Sequence, residues 1–573
     1  MKISPLVIWL LLSLLPVFFI PEARAQEPPR TTRELSEPDR EPSESEEDIP
    51  AEEPGPSGPQ ELSFTLEDAI LLALNRNRDL KVQIVNPKIA ETAVEERKAP
   101  FDFSPFIKLQ AEQTTDETSL NRKDIRKNVR DEYPNMPDDI FEQYYDEYFG
   151  DVQKATLDKE TQSYGGVLGF SKLFSTGTKL EFDLGSQYSD EEKNQLIRKT
   201  DSPNEKSSTS STRYSTSASM TLTQPLLQGV GRKVNLSLVR QAEFDQQISA
   251  YELQQYIIEL VARVQKNYWD LVLAKETLNI REKSLELSER QMDETQERIR
   301  LGKQAESELI FAQAEVAAEK GKVIDAKSAL SQRTLDFLRL LNPDVDTLWD
   351  RKVSLTTPPA PIDRETGNVQ EHVATAFRSR PDLAQAYLNL QKGDLEVVRT
   401  RNGLLPRLDF FITLKNMASG PEFPQSISEF DDSDYIVGLN LSRPLENTQA
   451  KAQSRRAGLS RLKYLESIEN LKQIIQVEVR KAIGEIERCR EQIFALQANR
   501  SKQEEKLKVE QEKFRVGRST NLLVFQAQRD LTEARVREVT AIIDQIEAFI
   551  DLQICEGTLL QQWSIETISP LLR

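Results

Sequence analysis

Residues 253–302 read LQQYIIELVARVQKNYWDLVLAKETLNIREKSLELSERQMDETQERIRLG, and this stretch decides the fold. A seam with a 3.5-residue period keeps one stripe of a helix facing a partner helix. Here apolar side chains advance by alternating steps of four and three, which predicts a long coiled-coil helix ending at Gly302. The seam consists of Leu253, Ile257, Leu260, Val264, Leu271, Ala274, Leu278, Leu285, Met292 and Ile299. Polar residues interrupt it at Asn267, Arg281, Ser288 and Thr295.

The same seam recurs in register 215 residues later in the chain. Gly302 then corresponds to Gly517, and Ala312-Gln313 corresponds to Ala527-Gln528. We therefore predict two copies of one helical hairpin, each a long helix followed by a shorter return helix. The second seam consists of Val479, Ala482, Ile486, Cys489, Ile493, Leu496, Leu507 and Phe514. The predicted helices cover about 235–300, 305–341, 449–515 and 519–560.

A shorter helix opens each half of the repeat. Residues 66–98 have apolar side chains at helical spacing, with Thr65 as a capping residue and Pro87 as the expected site of a kink. Asp79-Leu80 matches Asp382-Leu383 in the second half. Stacked end to end on the return helix of its half, each opening helix would complete a rod as long as the long helix.

The first 25 residues have the features of a secretory signal peptide. Met1-Lys2 is the positive start, an apolar run follows, and Ala23-Arg24-Ala25 is a small-residue cleavage site. An uncleaved membrane anchor is the alternative. Residues 26–62 are rich in Pro, Glu and Ser, so we expect a disordered acidic linker. The predicted domains are a signal peptide at 1–25, the acidic linker at 26–62, a first repeat at 63–345, a linker at 346–365 and a second repeat at 366–562.

Alternation of apolar and polar residues predicts β-strands in both halves. Such strands could form a barrel wall between lipid and water or a half-buried sheet in a soluble protein. No later apolar run reaches the ~20 residues of a spanning helix, so a membrane crossing would require a closed barrel. We expect long loops at 114–163 and 189–213, and leave open whether 164–188 joins the barrel. The predicted strands are about 103–113, 164–174, 178–188, 214–223, 406–416 and 434–442.

Charge and composition argue against several classes of function. A net charge of -18 disfavours nucleic acid as a partner, because phosphate would be repelled. We find no phosphate loop, nucleophile motif or clustered metal ligands, so we predict no enzyme activity, no cofactor and no metal. The single histidine, His372, is expected at the surface. Cys489 lies on the second seam and is expected to be a small buried apolar residue.

These pieces resemble the TolC-like outer membrane efflux protein family. The resemblance rests on the signal peptide, the twofold repeat and the order of helices and strands. Three local motifs add to it: Gln224-Pro225-Leu226-Leu227, Tyr268-Trp269-Asp270-Leu271 and Phe514-Arg515-Val516-Gly517. It implies a mainly α fold in which long antiparallel hairpins form an α-barrel and β-strands contribute to a trimeric outer-membrane barrel.

The resemblance also implies partners and a location. The chain would form a homotrimer in outer membrane lipid, with a large periplasmic portion. The hairpin tips would dock onto a periplasmic adaptor protein joined to an inner-membrane pump. On this basis the predicted tip and docking residues are Gly302, Gly517, Phe514 and Val516.

The family's gate cannot be transferred unchanged. Members carry acidic residues six and nine positions after the second tip glycine, whereas this chain has Leu523 and Gln526 there. The residue six positions after Gly302 is Glu308, which is acidic. We therefore predict a gate pair of Glu308 and Arg518, with two solvated tip charges as the alternative. Two other functions are weighed, a periplasmic adaptor and a structural coiled coil of the envelope. Drug efflux and type I secretion are not distinguished.

Overall fold

The computed structural model describes residues 62–200, 203–342, 353–424, 426 and 432–563. These residues lie in one compact unit, and the predicted signal peptide and most of the acidic linker fall outside the described residues. None of the helices within the described ranges is both long and apolar enough to cross a lipid bilayer.

The two halves repeat one order of elements: short helices, antiparallel strands and a long hairpin. The first half contains β1 (Leu62–Phe64), α1 (Leu66–Arg76), α2 (Arg78–Lys98), β2 (Phe103–Asn121), α3 (Arg122–Glu132), α4 (Asp138–Phe149), β3 (Val152–Leu173), β4 (Lys179–Lys199), β5 (Glu205–Pro225), α5 (Ser237–Arg300) and α6 (Ser307–Leu341). The second contains β6 (Val353–Leu355), α7 (Val369–Ser379), α8 (Pro381–Asn402), β7 (Arg407–Gly420), β8 (Asp432–Ser442), α9 (Thr448–Arg515) and α10 (Asn521–Glu556). Short helical turns lie at Arg232–Asn235 and Leu559–Gln562.

The long hairpins form as the seams predict. Helices α5 and α9 have 64 and 68 residues, which at ~1.5 Å per residue gives each a length of about 100 Å. Asn342 ends α6 in the left-handed conformation, with a φ of 46°. The predicted fold class, long antiparallel hairpins joined to β-strands, is confirmed.

The main apolar core lies along the middle of α5. Its residues Leu260, Val264 and Tyr268 are buried against α1 and α10, and a second core joins α7, α8, α9 and α10. Cys489 is buried in the second core, where burial raises the pKa of its thiol. His372 departs from the expectation of a surface residue, because its ring is half-buried and pairs with the carboxylate of Glu556.

The opening helix of the first half breaks at Asn77, whereas the sequence suggested a kink at Pro87. Asn77 accepts a hydrogen bond from the Leu80 amide at 2.9 Å and donates one to the Leu340 carbonyl at 3.0 Å. This buried side chain starts a new helix and ties it to α6, so the chain turns there. Pro87 is accommodated inside α2. In the second half the break falls at Arg380, which binds Asp382 and Glu478.

Six antiparallel strands form one sheet in the order β2-β3-β4-β5-β7-β8. Strands β3 and β4, whose place was left open by the sequence, pair between β2 and β5. The prediction of long loops at 114–163 and 189–213 is wrong. In the first range β2 and β3 extend from both ends and α3 and α4 lie between them, and in the second range β4 and β5 cover most of the residues. Polar pairs such as Lys159 with Glu191 at 3.2 Å cross these extensions, and the outer ends of β2, β3 and β4 pack on an apolar cluster with Phe141 and Tyr145 of α4.

One face of the sheet carries an apolar band that contains two aromatic rows. Tyr164, Tyr188 and Tyr214 lie directly opposite one another on β3, β4 and β5. Phe170 and Phe182 form the other row, with ring centroids 5.4 Å apart. The six-residue step from Phe182 to Tyr188 corresponds to about 20 Å. Exposed apolar residues on this face include Ile107, Leu109, Leu168, Leu184, Met220, Leu222, Leu414, Val437 and Leu439.

Candidate functional site at the hairpin tips

Both hairpins turn through the same glycine-centred cap. Gly302 has a φ of 70° and Gly517 a φ of 78°, a backbone conformation that glycine adopts without steric cost. In each tip the residue after the glycine donates a backbone hydrogen bond five residues back, from Lys303 to Arg298 and from Arg518 to Lys513, both at 2.8 Å. This is the Schellman pattern of a helix end. The repeat at the level of sequence is therefore a repeat of backbone geometry.

The two tips touch each other through Arg298 and Phe514. The guanidinium of Arg298 lies over the Phe514 ring, 4.4 Å from its centroid, and donates to the Phe514 carbonyl at 3.0 Å. Phe514 is only 3% exposed and packs with Val524 and Leu531. The structure therefore places it inside the tip rather than on a docking surface, because its ring fills the space between the helices of the second hairpin.

Other apolar side chains point outward at the tips. Leu301 is 65% exposed and Val516, a predicted docking residue, is 62% exposed. Ile310 and Leu522, which follow the two turns, are also exposed. An apolar patch of this kind is typical of a protein contact surface. The sequence could have predicted that Leu301 is exposed at the tip, because the repeat aligns it with Val516, and each residue comes directly before a tip glycine.

Near the tips, the contact between the two hairpins is a buried polar seam. It joins α5 of the first half to α10 of the second. The Ser284 hydroxyl lies 3.1 Å from that of Thr532, and Gln291 donates to the side chain of Asn521 at 3.0 Å. The Thr295 hydroxyl lies 3.1 Å from the same Asn521 oxygen and 2.8 Å from the Gln291 carbonyl one turn earlier, so the two acceptors share its single proton. The seam residues on α5 are Arg281, Ser284, Ser288, Gln291, Thr295 and Arg298.

The polar seam should be weaker than the apolar core above it. The Asn521 side-chain nitrogen and the Gln528 side-chain oxygen are buried with no hydrogen-bond partner. A buried polar group without a partner costs about 1–3 kcal/mol. Farther from the tips, the same pair of helices meets through Val264, Leu271 and Ile543. The hairpins are thus held firmly at mid-length and loosely at the tips.

The sequence contained the signal for this seam. Its α5 residues advance in alternating steps of three and four, which is a heptad stripe of its own beside the apolar one. Ser288 and Thr295 were recognised only as interruptions of the apolar seam. The structure buries them, because α10 approaches α5 on that side.

The predicted gate residues are close to the tips but are not joined within one copy. Glu308 lies in the first turn of α6, and Arg518 is exposed beside Gly517. In the part of the chain that the structure describes, neither side chain forms an ion pair. Leu523 and Gln526, which replace the family's acidic residues, are both exposed on α10. A Glu308–Arg518 gate remains a prediction and would need a pair across two copies.

These features define the class of protein. Two hairpins with glycine tips at one end and an antiparallel sheet with an apolar face at the other constitute a TolC-like channel fold. The chain belongs to the outer membrane efflux protein family, whose model matches residues 179–342 and 373–557. The membership argues against a periplasmic adaptor and against a purely structural coiled coil.

Solved channel structures share the fold at low sequence identity. The CmeC outer membrane channel of Campylobacter jejuni is 15% identical, with a TM-score of 0.56 and 86% of each chain covered. The open-state MtrE channel of Neisseria gonorrhoeae is 15% identical, with a TM-score of 0.57 over 86% of this chain and 89% of that one. VceC of Vibrio cholerae is 12% identical, with a TM-score of 0.56 over 86% and 96%. No curated protein sequence matches the chain significantly.

Proposed function

We propose that the chain is the outer-membrane channel of a tripartite efflux or type I secretion system. Three copies form the channel, with their sheets in outer membrane lipid and their hairpins as a periplasmic tunnel. An adaptor protein and an inner-membrane pump deliver substrate to the tips. One observation carries this proposal: the apolar band of the sheet and the apolar tips lie at opposite ends of hairpins about 100 Å long.

The dimensions of the apolar band support a location in lipid. Outer-membrane strands present an outward apolar band of about 25 Å between two girdles of aromatic residues. The rows of Tyr188 and Phe182 lie about 20 Å apart, and apolar residues continue the band beyond the Phe182 row to Leu222 and Leu439. Along β5, Ser217, Ser219 and Thr221 alternate with the apolar residues and therefore lie on the opposite face of the sheet. Their hydroxyl groups suit contact with water.

Exposed apolar residues along the hairpins support assembly with further copies. Ile324 and Leu335 on α6, and Leu462 and Phe494 on α9, are exposed in the single chain. Side chains of this kind on a long helix are expected to be covered by a neighbouring helix. Two further copies supply such helices on both flanks, which closes the tunnel.

The polar seam near the tips supports a gate at that end. Opening requires the second hairpin to move away from the first, and the contact that breaks is the one through Thr295 and Asn521. Polar groups released from this contact are solvated by water in the open tunnel, so the cost of opening is small compared with exposing the apolar core. A Glu308–Arg518 pair between copies would add to closure.

Photocrosslinking at the tips tests the partner. A photoreactive amino acid is placed at Val516 or Leu301, which are exposed at the tips, and at Lys463 as a control near the other end of α9. In the native host, illumination should link the tip positions, and not position 463, to a periplasmic adaptor protein. Equal labelling at all three positions, or no adaptor adduct from membrane-inserted protein, would contradict docking at the tips.

A further inference from the structure

The sheet ends in two edge strands that carry exposed apolar side chains. Among the described residues, β2 and β8 each pair with a strand on one side only. Ile107 and Leu109 on β2, and Tyr435 and Leu439 on β8, are all more than half exposed. Long apolar edges of this kind readily pair with another strand. Each further copy of the same chain has one β2 edge and one β8 edge, so every edge can find a partner strand.

We propose that β8 of one copy pairs with β2 of the next, so that three copies close into a wall of eighteen strands with β3 and β4 as full members. The inference rests on the proposed trimeric channel and specifies the number of strands, and so the diameter, of its barrel. Each copy contributes six strands rather than the four that would remain without the β3–β4 hairpin. The hairpin is therefore part of the wall and not an appendage.

Strand direction permits this closure. The six strands alternate in direction, so β2 and β8 run antiparallel, and β8 against a neighbouring β2 continues the same alternation. Face parity permits it too. Odd-numbered residues of β8, such as Leu439, share a face with odd-numbered residues of β2, such as Ile107, through the registers of the strands between them. If β8 paired with the neighbouring β2 one residue out of this register, the apolar side chains of one of the two strands would face water.

The packing of β3 against β2 supports membership in the wall. On the polar face, Phe106 lies directly opposite Gly169 on β3, and a Cβ added there would meet the Cζ atom of its ring at 2.7 Å. Phe411 covers Gly438 in the same way between β7 and β8. In both the β2–β3 pair and the β7–β8 pair, a phenylalanine on one strand therefore packs over the glycine opposite it. On the other face, Phe170 and Phe182 continue the apolar band across β3 and β4.

The wider wall changes what the exit can pass. The diameter of a barrel grows roughly linearly with strand number, so eighteen strands give about 1.5 times the diameter of twelve. Walls of 16–18 strands leave an aqueous channel rather than a filled interior. Small hydroxyl side chains, Ser215, Ser217 and Ser219, line the polar face of β5. The exit thus suits bulky, polar cargo.

The diameter of the barrel can be tested with a deletion that removes β3 and β4 but keeps the apolar residues of β2 and β5 on the same face. Replacing residues 121–204 by Asn-Gly joins β2 directly to β5 through a two-residue turn. Leu120 then faces Glu205, so Ile107 falls opposite Ala218 and both remain on the apolar face. Ser217→Cys on the polar face is labelled from outside the cell with maleimide-polyethylene glycols of increasing mass. The full chain should admit distinctly larger reagents than the deletion variant. Equal cut-offs in two membrane-inserted trimers would overturn the proposal.

A second measurement uses the full chain and does not depend on the deletion. Lys108→Cys with Asn440→Cys should crosslink between copies through a short bifunctional reagent, since both positions are on the polar face of edge strands. Gln110→Cys with Ser217→Cys should form no disulfide, because β3 and β4 separate them. A Gln110–Ser217 disulfide would put the hairpin outside the wall and overturn the inference while leaving the channel intact. A chain that never forms a membrane trimer would overturn the proposed function as well.

Discussion

The hydroxyl of Thr295 lies 3.1 Å from the side-chain oxygen of Asn521, and both residues are completely buried between the two hairpins. A long coiled coil would ordinarily fill such a position with an apolar side chain. Here the same oxygen also accepts from Gln291, so one amide connects two turns of α5 to the start of α10. The tips are therefore joined by a hydrogen-bonded contact that can be exchanged for water.

Removing the Thr295 hydroxyl should loosen the tips. Thr295→Val removes one donor from the Asn521 oxygen, which still accepts from Gln291, so the expected cost is that of one hydrogen bond, about 0.5–1.5 kcal/mol. Hydrogen exchange should accelerate by about 2- to 10-fold at the start of α10. Thr540→Val is the control. Like Thr295, Thr540 donates to a carbonyl one turn earlier on its own helix, but among the described residues its hydroxyl makes no bond to another helix. Unchanged exchange in Thr295→Val would mean that the contact does not hold the tips.

Alanine at the tip glycines should destabilise the turns. Both glycines have positive φ and open space around them, so the cost comes from the backbone and not from a clash. We expect a loss of about 1 kcal/mol for Gly302→Ala or Gly517→Ala, seen as a lower unfolding temperature of the tip. Gly321→Ala, inside α6 and also in open space, should instead stabilise by up to about 1 kcal/mol. Equal effects at Gly302 and Gly321 would contradict the role of positive φ.

Replacing Asn77 should weaken the junction between α1, α2 and α6. Asn77→Ala removes the Leu80 cap and the bond to the Leu340 carbonyl, and the expected loss is about 1–3 kcal/mol. Thermal unfolding in detergent measures it. The matched control is Asn86→Ala, because Asn86 makes one exposed side-chain bond within α2. A Tm for Asn77→Ala that equals the control would show that the break is set elsewhere.

The carboxyl of Glu547 should make stability depend on pH. Burial and the neighbouring Asp270 raise its pKa to about 6, above its ordinary value of 4.5. A raised carboxyl pKa favours the protonated folded chain, so the contribution of Glu547 to stability is greatest below pH 4.5 and falls as the pH rises through about 6. Glu547→Gln should therefore raise the Tm at pH 8 and leave it unchanged at pH 4.5. The gain is at most about 1 kcal/mol after solvent screening. A variant that gains equally at both pH values would refute this assignment.

The sequence predicts the hairpins well because a heptad seam is a local signal. The ends of α5 and α9 fall within two residues of the predicted positions, and Gly302 and Gly517 both mark turns. Phe514 was misplaced, since an apolar residue before a turn can point inward or outward and only packing decides. The break at Asn77 depends on a carbonyl of α6, 263 residues away, which no local pattern reveals.

The sheet was harder to predict, because polar strands have no apolar alternation. The extension of β5 from Glu205 to Arg213 is exposed and rich in Ser, so it reads like a loop. Its pairing with β4, for example Glu192 opposite Ser210, depends on backbone hydrogen bonds that any side chains permit. The strand order that inserts β3 and β4 between β2 and β5 is likewise a long-range property.

Conductance of the purified chain in planar bilayers tests the central claim most directly. Trimers extracted from the outer membrane should insert and show a small, closed-state conductance. Asn521→Ala, which removes the acceptor shared by Gln291 and Thr295, should raise that conductance several-fold. A chain that stays monomeric and soluble without detergent, or inserted trimers that never conduct with either sequence, would contradict a tip-gated outer-membrane channel.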